Sequence, residues 1–258
     1  MDPIGAEARA LPADAQARIL GGEVCVWTEY MTAETVDSRI WPRAAAISER
    51  FWSPPESSTQ ASMYDRMERV SRQLEYAGVQ HRANYLPMLD RMAGGKAPEA
   101  LKVLADSVEG LGLGDRAPAR EYTSLVPMNR LADAARPESE SVRALEVEAR
   151  KAIADPKAGA AQIADLRAQF TRWAENDTRF QAAMGDNPLL TELKGLSKDL
   201  SAAGATAIKL LDYLEKGQKA PAAFVLAQNT ELTRMQRPNA EVVLAAVRPV
   251  KLLLDAVK

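Results

Sequence analysis

Apolar residues recur every three or four positions along most of this chain, the spacing that places them on one face of an α-helix. Residues 59–77 show it clearly, with a glycine at position 78 where the helix is expected to stop. Residues 189–214 keep a similar rhythm for about seven turns. Both stretches therefore predict amphipathic helices that bury one face.

Shorter segments with the same spacing surround these two helices. Helical patterns are predicted at 88–92, 101–108, 128–135, 141–154, 163–173, 221–236 and 240–257, the last bent or broken at Pro249. Phe170, Trp173 and Phe180 fall at helical spacing, which favours a place in the core over the alternative, a sugar-lining groove. The chain is therefore predicted to be mainly α, ending in a helical bundle.

One stretch, residues 21–30, follows the two-residue alternation of a β-strand instead. One face would carry small or β-branched residues, and the other would carry Glu23, Cys25, Trp27 and Glu29. Residues 43–52 lack helix breakers and are followed by Ser-Pro-Pro, which predicts a short helix. Strand, loop and helix together make one βα unit.

Composition excludes several classes of site. The formal charge is −2, with charges scattered along the chain, so neither nucleic acid nor an anionic membrane is an expected partner. Cys25 and His81 are each the single residue of their type, which leaves no internal disulfide and argues against His-rich zinc sites and a Ser-His-Asp triad. Glu175-Asn176-Asp177 is expected to be a solvated stretch rather than a metal site. No cofactor is implied.

Four motifs within residues 21–53 carry a resemblance to a known family. They are Gly-Gly-Glu at 21–23, Trp-Thr-Glu at 27–29, Arg-Ile-Trp-Pro-Arg at 39–43 and Glu-Arg-Phe-Trp-Ser at 49–53. In this order they resemble the last strand and last helix of the (β/α)8 barrel of glycoside hydrolase family 20, the β-N-acetylhexosaminidases. The resemblance implies a mainly α chain that begins with a remnant of the last βα unit of that barrel.

The resemblance also implies roles for two side chains. Trp27 resembles the tryptophan that forms a wall around the N-acetylhexosamine ring, and Glu29 resembles the carboxylate that binds its O4 and O6 hydroxyls. The chemistry is compatible, because the C–H face of a sugar packs on an aromatic plane and its hydroxyls donate to a carboxylate. Without the resemblance, a buried tryptophan and a glutamate paired with arginine would be the simpler interpretations.

Catalysis in this family is substrate-assisted, with the substrate's acetamido oxygen as nucleophile. The family's general acid is a glutamate next to an aspartate that orients the acetamido group. The sequence contains no Asp-Glu dipeptide, so we expect the isolated chain to be inactive and to represent the C-terminal part of a longer enzyme. Residues 1–35, without neighbouring strands, are expected to pack poorly.

The predicted domains are a barrel remnant at 1–55, helices at 56–115 and a helical C-terminal domain at 116–258. Residues 109–127, rich in Gly and Pro, are the best candidate boundary, and the Gly110–Gly114 run in it is expected to be a linker rather than a phosphate loop. Residues 130–139 are similar to the start of a helical extension on some bacterial family members.

Three functional hypotheses remain open at this level. The first is part of an enzyme whose partner is an N-acetylhexosamine-containing glycan. The second is a stand-alone helical interaction module, and the third is a helical bundle that binds carbohydrate or peptidoglycan for the parent enzyme. Residues 1–3 do not begin a signal peptide, and no apolar run reaches the ~20 residues of a bilayer span. A periplasmic or secreted parent is compatible with the resemblance, but compartment and oligomeric state are not determined by the sequence.

Overall fold

A computed structural model of the chain describes residues 5–54, 59–156 and 159–258. The chain divides into two compact units, Met1–Asn84 and Tyr85–Lys258. The mainly helical character predicted from the sequence is confirmed. The domain bounds at 55 and 115 follow from the resemblance and from composition, and they stay predictions.

The described part of the first unit consists of helices joined by irregular segments. They are α1 (Ala6–Arg9), α2 (Ala13–Gln16), α3 (Val36–Ile40), α4 (Arg43–Trp52) and α5 (Gln60–Tyr76). Helices α4 and α5 agree with the segments predicted at 43–52 and 59–77. Thr59 caps α5, its Oγ1 accepting a hydrogen bond from the backbone N–H of Ser62, which satisfies one of the free donors of the first turn.

The predicted strand at 21–30 is wrong for this structure. Residues 19–28 have no regular secondary structure, and the described part of the first unit contains no β-strand. The physical reason is that a strand is held by a ladder of hydrogen bonds to a neighbour, and an alternating sequence does not supply one. A remnant of a barrel strand is therefore not confirmed. The poor packing predicted for residues 1–35 is confirmed for residues 5–34, none of which is buried, but not for Thr35, which is only 2% exposed. Residues 1–4 lie outside the described residues.

The second unit contains most of the helical residues. Its elements are α6 (Tyr85–Ala93), α7 (Glu99–Ala105), β1 (Glu109–Gly110), α8 (Leu113–Arg116), a 3₁₀ turn (Ala117–Ala119), α9 (Leu131–Ala134), α10 (Glu140–Ala154), α11 (Ala160–Ala174), α12 (Asn176–Met184), α13 (Pro188–Thr191), α14 (Lys194–Glu215), α15 (Ala222–Met235), β2 (Val242–Val243) and α16 (Val247–Ala256). No helix in the described ranges is both long and apolar enough to cross a bilayer.

Helix α14 lies at the centre of this unit, packing against α11, α12, α15 and α16. The approach of α11 is close at Gly204, where a Cβ would lie 2.6 Å from the backbone nitrogen of Ala174. Phe170 and Trp173 of α11 also contact this position, and their buried aromatic rings have centroids 5.3 Å apart. Phe180 is also fully buried, so the prediction that these three aromatic residues form core is confirmed.

The long helix predicted at 189–214 is interrupted near its start. Helix α13 ends at Thr191 and α14 begins at Lys194, with Asn187 capping α13 through its side-chain oxygen. Another correction concerns Asn176, which was expected in a solvated stretch. Its side chain is only 2% exposed, and its Nδ2 donates to the backbone oxygen of Ala100 at 3.1 Å.

Residues 109–127 are part of the second unit rather than a linker. Strand β1 pairs antiparallel with β2, with Glu109 opposite Val243 and Gly110 opposite Val242. The helix predicted at 240–257 is correspondingly shorter, because its first residues form this strand pair and α16 begins at Val247. Pro249 lies in the first turn of α16, where its missing N–H has no intrahelical partner to lose.

Candidate functional site

Both residues that the sequence analysis assigns to substrate binding lie in the irregular segment before α3. Trp27 is 68% exposed, and Glu29 is exposed at a turn that follows it. An aromatic wall for a sugar works by excluding water from at least one face of the ring. In this structure the two residues are accessible, but they do not form an enclosed site.

Side chains two positions apart do meet in this segment. The thiol of Cys25 donates to Oε1 of Glu23 at 3.4 Å. This hydrogen bond, together with the repulsion that a thiolate would feel from the carboxylate, raises the pKa of Cys25 and keeps the thiol protonated. Contact between residues i and i+2 is what an extended backbone produces, because such residues point to the same side.

A close contact attaches the segment to α4. The ring of Phe51 occupies the place where a Cβ of residue 22 would be, so that only glycine fits at that position without movement of the ring. Gly22 and Phe51 belong to two different motifs of the resemblance, Gly-Gly-Glu and Glu-Arg-Phe-Trp-Ser. The two motifs therefore contact each other in this structure.

The loop that leads into α3 is held by its own threonines and by residues after α5. The backbone N–H of Thr32 donates to Oγ1 of Thr35 at 2.9 Å, and Thr35 is buried. Nδ2 of Asn84 donates to the backbone oxygen of Glu34 at 2.8 Å, while the backbone N–H of Gln80 donates to Oδ2 of Asp37 at 2.8 Å. These contacts fix the end of the candidate segment to the rest of the first unit.

An ion pair joins α4 to α5. Arg66 contacts Glu49 through both Nε and Nη2, the latter at 2.8 Å, and its Nη1 donates to Oγ of Ser62. The hydrogen bonds from Arg66 lower the pKa of Glu49, against the opposing effect of partial burial. The glutamate of the Glu-Arg-Phe-Trp-Ser motif therefore holds the helix pair together in this structure.

The chain's single histidine does not belong to a catalytic triad in the described residues. Nε2 of His81 lies 2.6 Å from Oγ of Ser71, and both residues are buried. Its Nδ1 is buried without a hydrogen-bond partner, whereas a triad needs a carboxylate at that position. The parts of the chain that the structure describes also hold no cluster of three or more His, Cys, Asp or Glu suited to a metal ion.

The second unit contains a buried group of charges that the sequence analysis missed. Arg116 donates through Nη2 to Oδ1 of Asp133 at 2.7 Å and through Nε to Oε2 of Glu241 at 3.0 Å. Arg120 donates to the other oxygen of Glu241 at 2.6 Å, and the hydroxyl of Tyr122 also donates to this carboxylate. Glu241 is 125 positions from Arg116, and no local pattern indicates such a pairing.

The electrostatics of this group follow from its hydrogen bonds. Burial alone would raise the pKa of Glu241, but the donors Tyr122, Arg120 and Arg116 outweigh it and hold that pKa below its usual range. Burial and the bond to Glu241 raise the pKa of Tyr122 to about 12. The carboxylate is therefore ionised and the phenol protonated at neutral pH.

Comparison with known proteins places the motif segment in a family. Residues 2–55 match glycosyl hydrolase family 20, catalytic domain. A chitooligosaccharidolytic beta-N-acetylglucosaminidase of Ostrinia furnacalis is 43% identical over 63 residues, which are 24% of this chain and 10% of that protein. Human beta-hexosaminidase subunit beta is 44% identical over 50 residues, 19% of this chain and 9% of the relative.

Similarity to a solved structure extends over almost the whole chain. The X-ray structure of a Flavobacterium johnsoniae chitobiase matches with a TM-score of 0.82 and 30% identity, over 98% of this chain and 38% of the chitobiase. The match thus includes the helical second unit, which lies outside the family match at residues 2–55. The chain spans about a tenth of the curated relatives it matches and well under half of the chitobiase.

Proposed function

We propose, on the basis of these matches, that the chain belongs to glycosyl hydrolase family 20 and is the C-terminal part of a β-N-acetylhexosaminidase. The complete enzyme would hydrolyse terminal non-reducing N-acetylhexosamine residues of glycans by the family's substrate-assisted, retaining mechanism. The observation that carries the proposal is the block of four motifs at 21–53, which lies within the match to the family's catalytic domain.

The proposed roles of this chain in that enzyme are binding and orientation. Trp27 would form a wall against the C–H face of the sugar, and Glu29 would accept hydrogen bonds from its O4 and O6 hydroxyls. A hydrogen bond to a charged group contributes about 1.5–3 kcal/mol, enough to orient the ring. The exposure of both side chains supports the proposal, because neither is committed to the core of the first unit.

We also propose that the isolated chain is inactive. Its sequence has no Asp-Glu dipeptide, and hence no counterpart of the family's general acid and its orienting aspartate. Without an acid, the leaving glycosidic oxygen is not protonated. The chain should give no turnover of a chromogenic N-acetylglucosaminide. Turnover that is abolished by Glu29→Ala would contradict the proposal.

The stacking role is tested in an enzyme that contains both this chain and the acid. Trp27→Ala should raise KM and lower kcat together, because placement of the ring serves both binding and the transition state. A matched control is Tyr76→Ala, which removes an exposed aromatic residue at the end of α5. An unchanged kcat/KM in the Trp27 variant would refute the role.

A second candidate function is a stand-alone helical interaction or carbohydrate-binding module. It is favoured by the packing, since Tyr85–Lys258 forms a compact unit with an apolar core of its own. The upstream reading frame discriminates the two. A Gly-Gly-Asp-Glu strand end encoded before Met1 supports the enzyme, whereas a start signal immediately before Met1 supports the module.

A further inference from the structure

A tight turn in the second unit has unusual backbone geometry. Asn239 and Val242 exchange two backbone hydrogen bonds, of 3.0 and 3.1 Å, around the central residues Ala240 and Glu241. Both central residues have positive φ, 50° and 61°. This is the pattern of a type I′ turn, which normally takes Asn and Gly. Non-glycine residues remain in this conformation only where their surroundings hold them there.

The side chain of Glu241 explains how the turn is held. Its carboxylate accepts hydrogen bonds from Arg116, Arg120 and Tyr122, and the side chain is only 3% exposed. Although the Glu241 side chain is buried, the turn lies at the surface of the unit, since its first residue, Asn239, is exposed.

A cleft lies beside this turn, and we call it the hairpin cleft. Its volume is about 410 Å³, against about 190 Å³ for the cleft that includes Arg172 and about 160 Å³ for the one that includes Tyr85. Sites for small ligands occupy roughly 300–1,000 Å³. The polar and ring side chains that line it are Asp115, Pro118, Arg120, Pro238, Asn239 and Glu241.

The side chains that line the hairpin cleft favour one class of ligand. Arg120 uses Nε for Glu241 and Nη2 for Glu192, which leaves Nη1 able to donate to a ligand. Asp115 is an exposed acceptor, and Asn239 supplies both a donor and an acceptor. Both oxygens of Glu241 already accept hydrogen bonds from arginines, so Asp115 is the carboxylate that would repel an anion, and the guanidinium of Arg120 would repel a cation. A neutral molecule with many hydroxyl groups satisfies all three side chains.

We propose that the hairpin cleft binds a neutral saccharide, through residues other than those assigned to the hydrolytic site. The rings of Pro118 and Pro238 offer C–H surface for the apolar face of a sugar. That the saccharide contains N-acetylhexosamine rests on the proposed function. The site would keep the product or a neighbouring part of the glycan close to the enzyme.

The test is a titration of the full chain with N,N′-diacetylchitobiose, followed by ¹⁵N NMR. The expected result is a set of shifts in the amides of residues 115–120 and 239–241, with millimolar affinity. Asp115→Ala should weaken binding about tenfold, the loss expected for one hydrogen bond to a charged group. Asp186→Ala, which removes an equally exposed aspartate elsewhere in the unit, should leave the affinity unchanged.

Other outcomes separate this proposal from the proposed function. Binding that is lost in Trp27→Ala but unchanged in Asp115→Ala overturns the hairpin cleft and supports the assigned sugar wall. Absence of any shift at about 10 mM sugar overturns the cleft. A complete enzyme that does not cleave N-acetylhexosaminides overturns the proposed function, while binding at the cleft is still measured directly by the titration.

Discussion

The two units of this chain bury different kinds of side chain. In the described part of Met1–Asn84 the buried residues are polar, namely Thr35, Ser71, His81 and Asn84. In Tyr85–Lys258 the core is an apolar cluster drawn from most of its helices. The family motifs lie in the first unit, where apolar groups such as Leu20, Trp27 and Trp52 remain exposed.

The family motifs and the apolar core therefore lie in different units of the chain. The motif residues of the first unit carry the family resemblance, and their exposed apolar side chains form the kind of surface that other parts of a protein cover. The second unit lies outside the four motifs at 21–53, yet the similarity to the chitobiase structure covers 98% of this chain. The helical unit therefore supplies its own stability.

The largest expected effect comes from breaking the buried charge group. Arg116→Met removes a buried hydrogen-bond donor from both Asp133 and Glu241, which should lower the free energy of unfolding of the second unit by about 3–5 kcal/mol. Urea denaturation followed by circular dichroism measures this. As a control, Arg234→Met removes an exposed pair with Asp199 and should cost no more than about 1 kcal/mol. Equal losses of unfolding free energy in the two variants would show that the buried charge group contributes no more to stability than the Arg234–Asp199 pair.

An aromatic residue from each unit gives a direct comparison. Phe170 is 0% exposed, so Phe170→Ala should lower the free energy of unfolding by about 3–5 kcal/mol. Trp52 is 89% exposed, and Trp52→Ala should change it by no more than about 0.5 kcal/mol. A large loss in the Trp52 variant would mean that the first unit is packed more tightly than its exposure indicates.

Two glycines of α14 allow a close helix contact and an open position to be compared within the second unit. A Cβ at Gly204 would collide with the backbone of α11, so Gly204→Ala should destabilise by about 1–3 kcal/mol. At Gly195 the nearest atom is the side-chain nitrogen of Asn239, 3.1 Å away, which can move. Gly195→Ala should therefore be neutral or stabilise by up to about 1 kcal/mol through helix propensity. Thermal unfolding distinguishes the two variants.

The smallest expected effect is a pH dependence of the free energy of unfolding. The pKa of Glu241 is lower in the folded state than in the unfolded chain, so its contribution to stability is present above the unfolded value of about 4.3. That contribution is lost as the pH falls through the lower folded value. Glu241→Gln should therefore flatten the acid limb of a stability profile measured below about pH 5. A limb that keeps its slope in this variant would assign the acid sensitivity to other carboxylates.

Much of the fold could be predicted from the sequence, because helices are set by local spacing. Helices α4, α5, α10, α11 and α15 begin and end within a few residues of the predicted segments. The site residues could be named only through the family motifs. Without them, the simpler interpretations were a buried tryptophan for Trp27 and an arginine partner for Glu29. The hairpin cleft had no local signal, because Ala240-Glu241 is not a usual turn sequence and its anchors are distant in the chain.

The helical periodicity, the place of Phe170 and Phe180 in the core and the family resemblance of the motif segment all follow from the sequence. Each depends on residues that are close to one another along the chain. The tertiary structure decided whether residues 21–30 form a strand, where Arg116 finds its carboxylates and which segment pairs with Glu109–Gly110. Each of these depends on contact with a partner that is distant in the chain. A hydrogen-bond ladder or a buried ion pair exists only when folding brings that partner within reach.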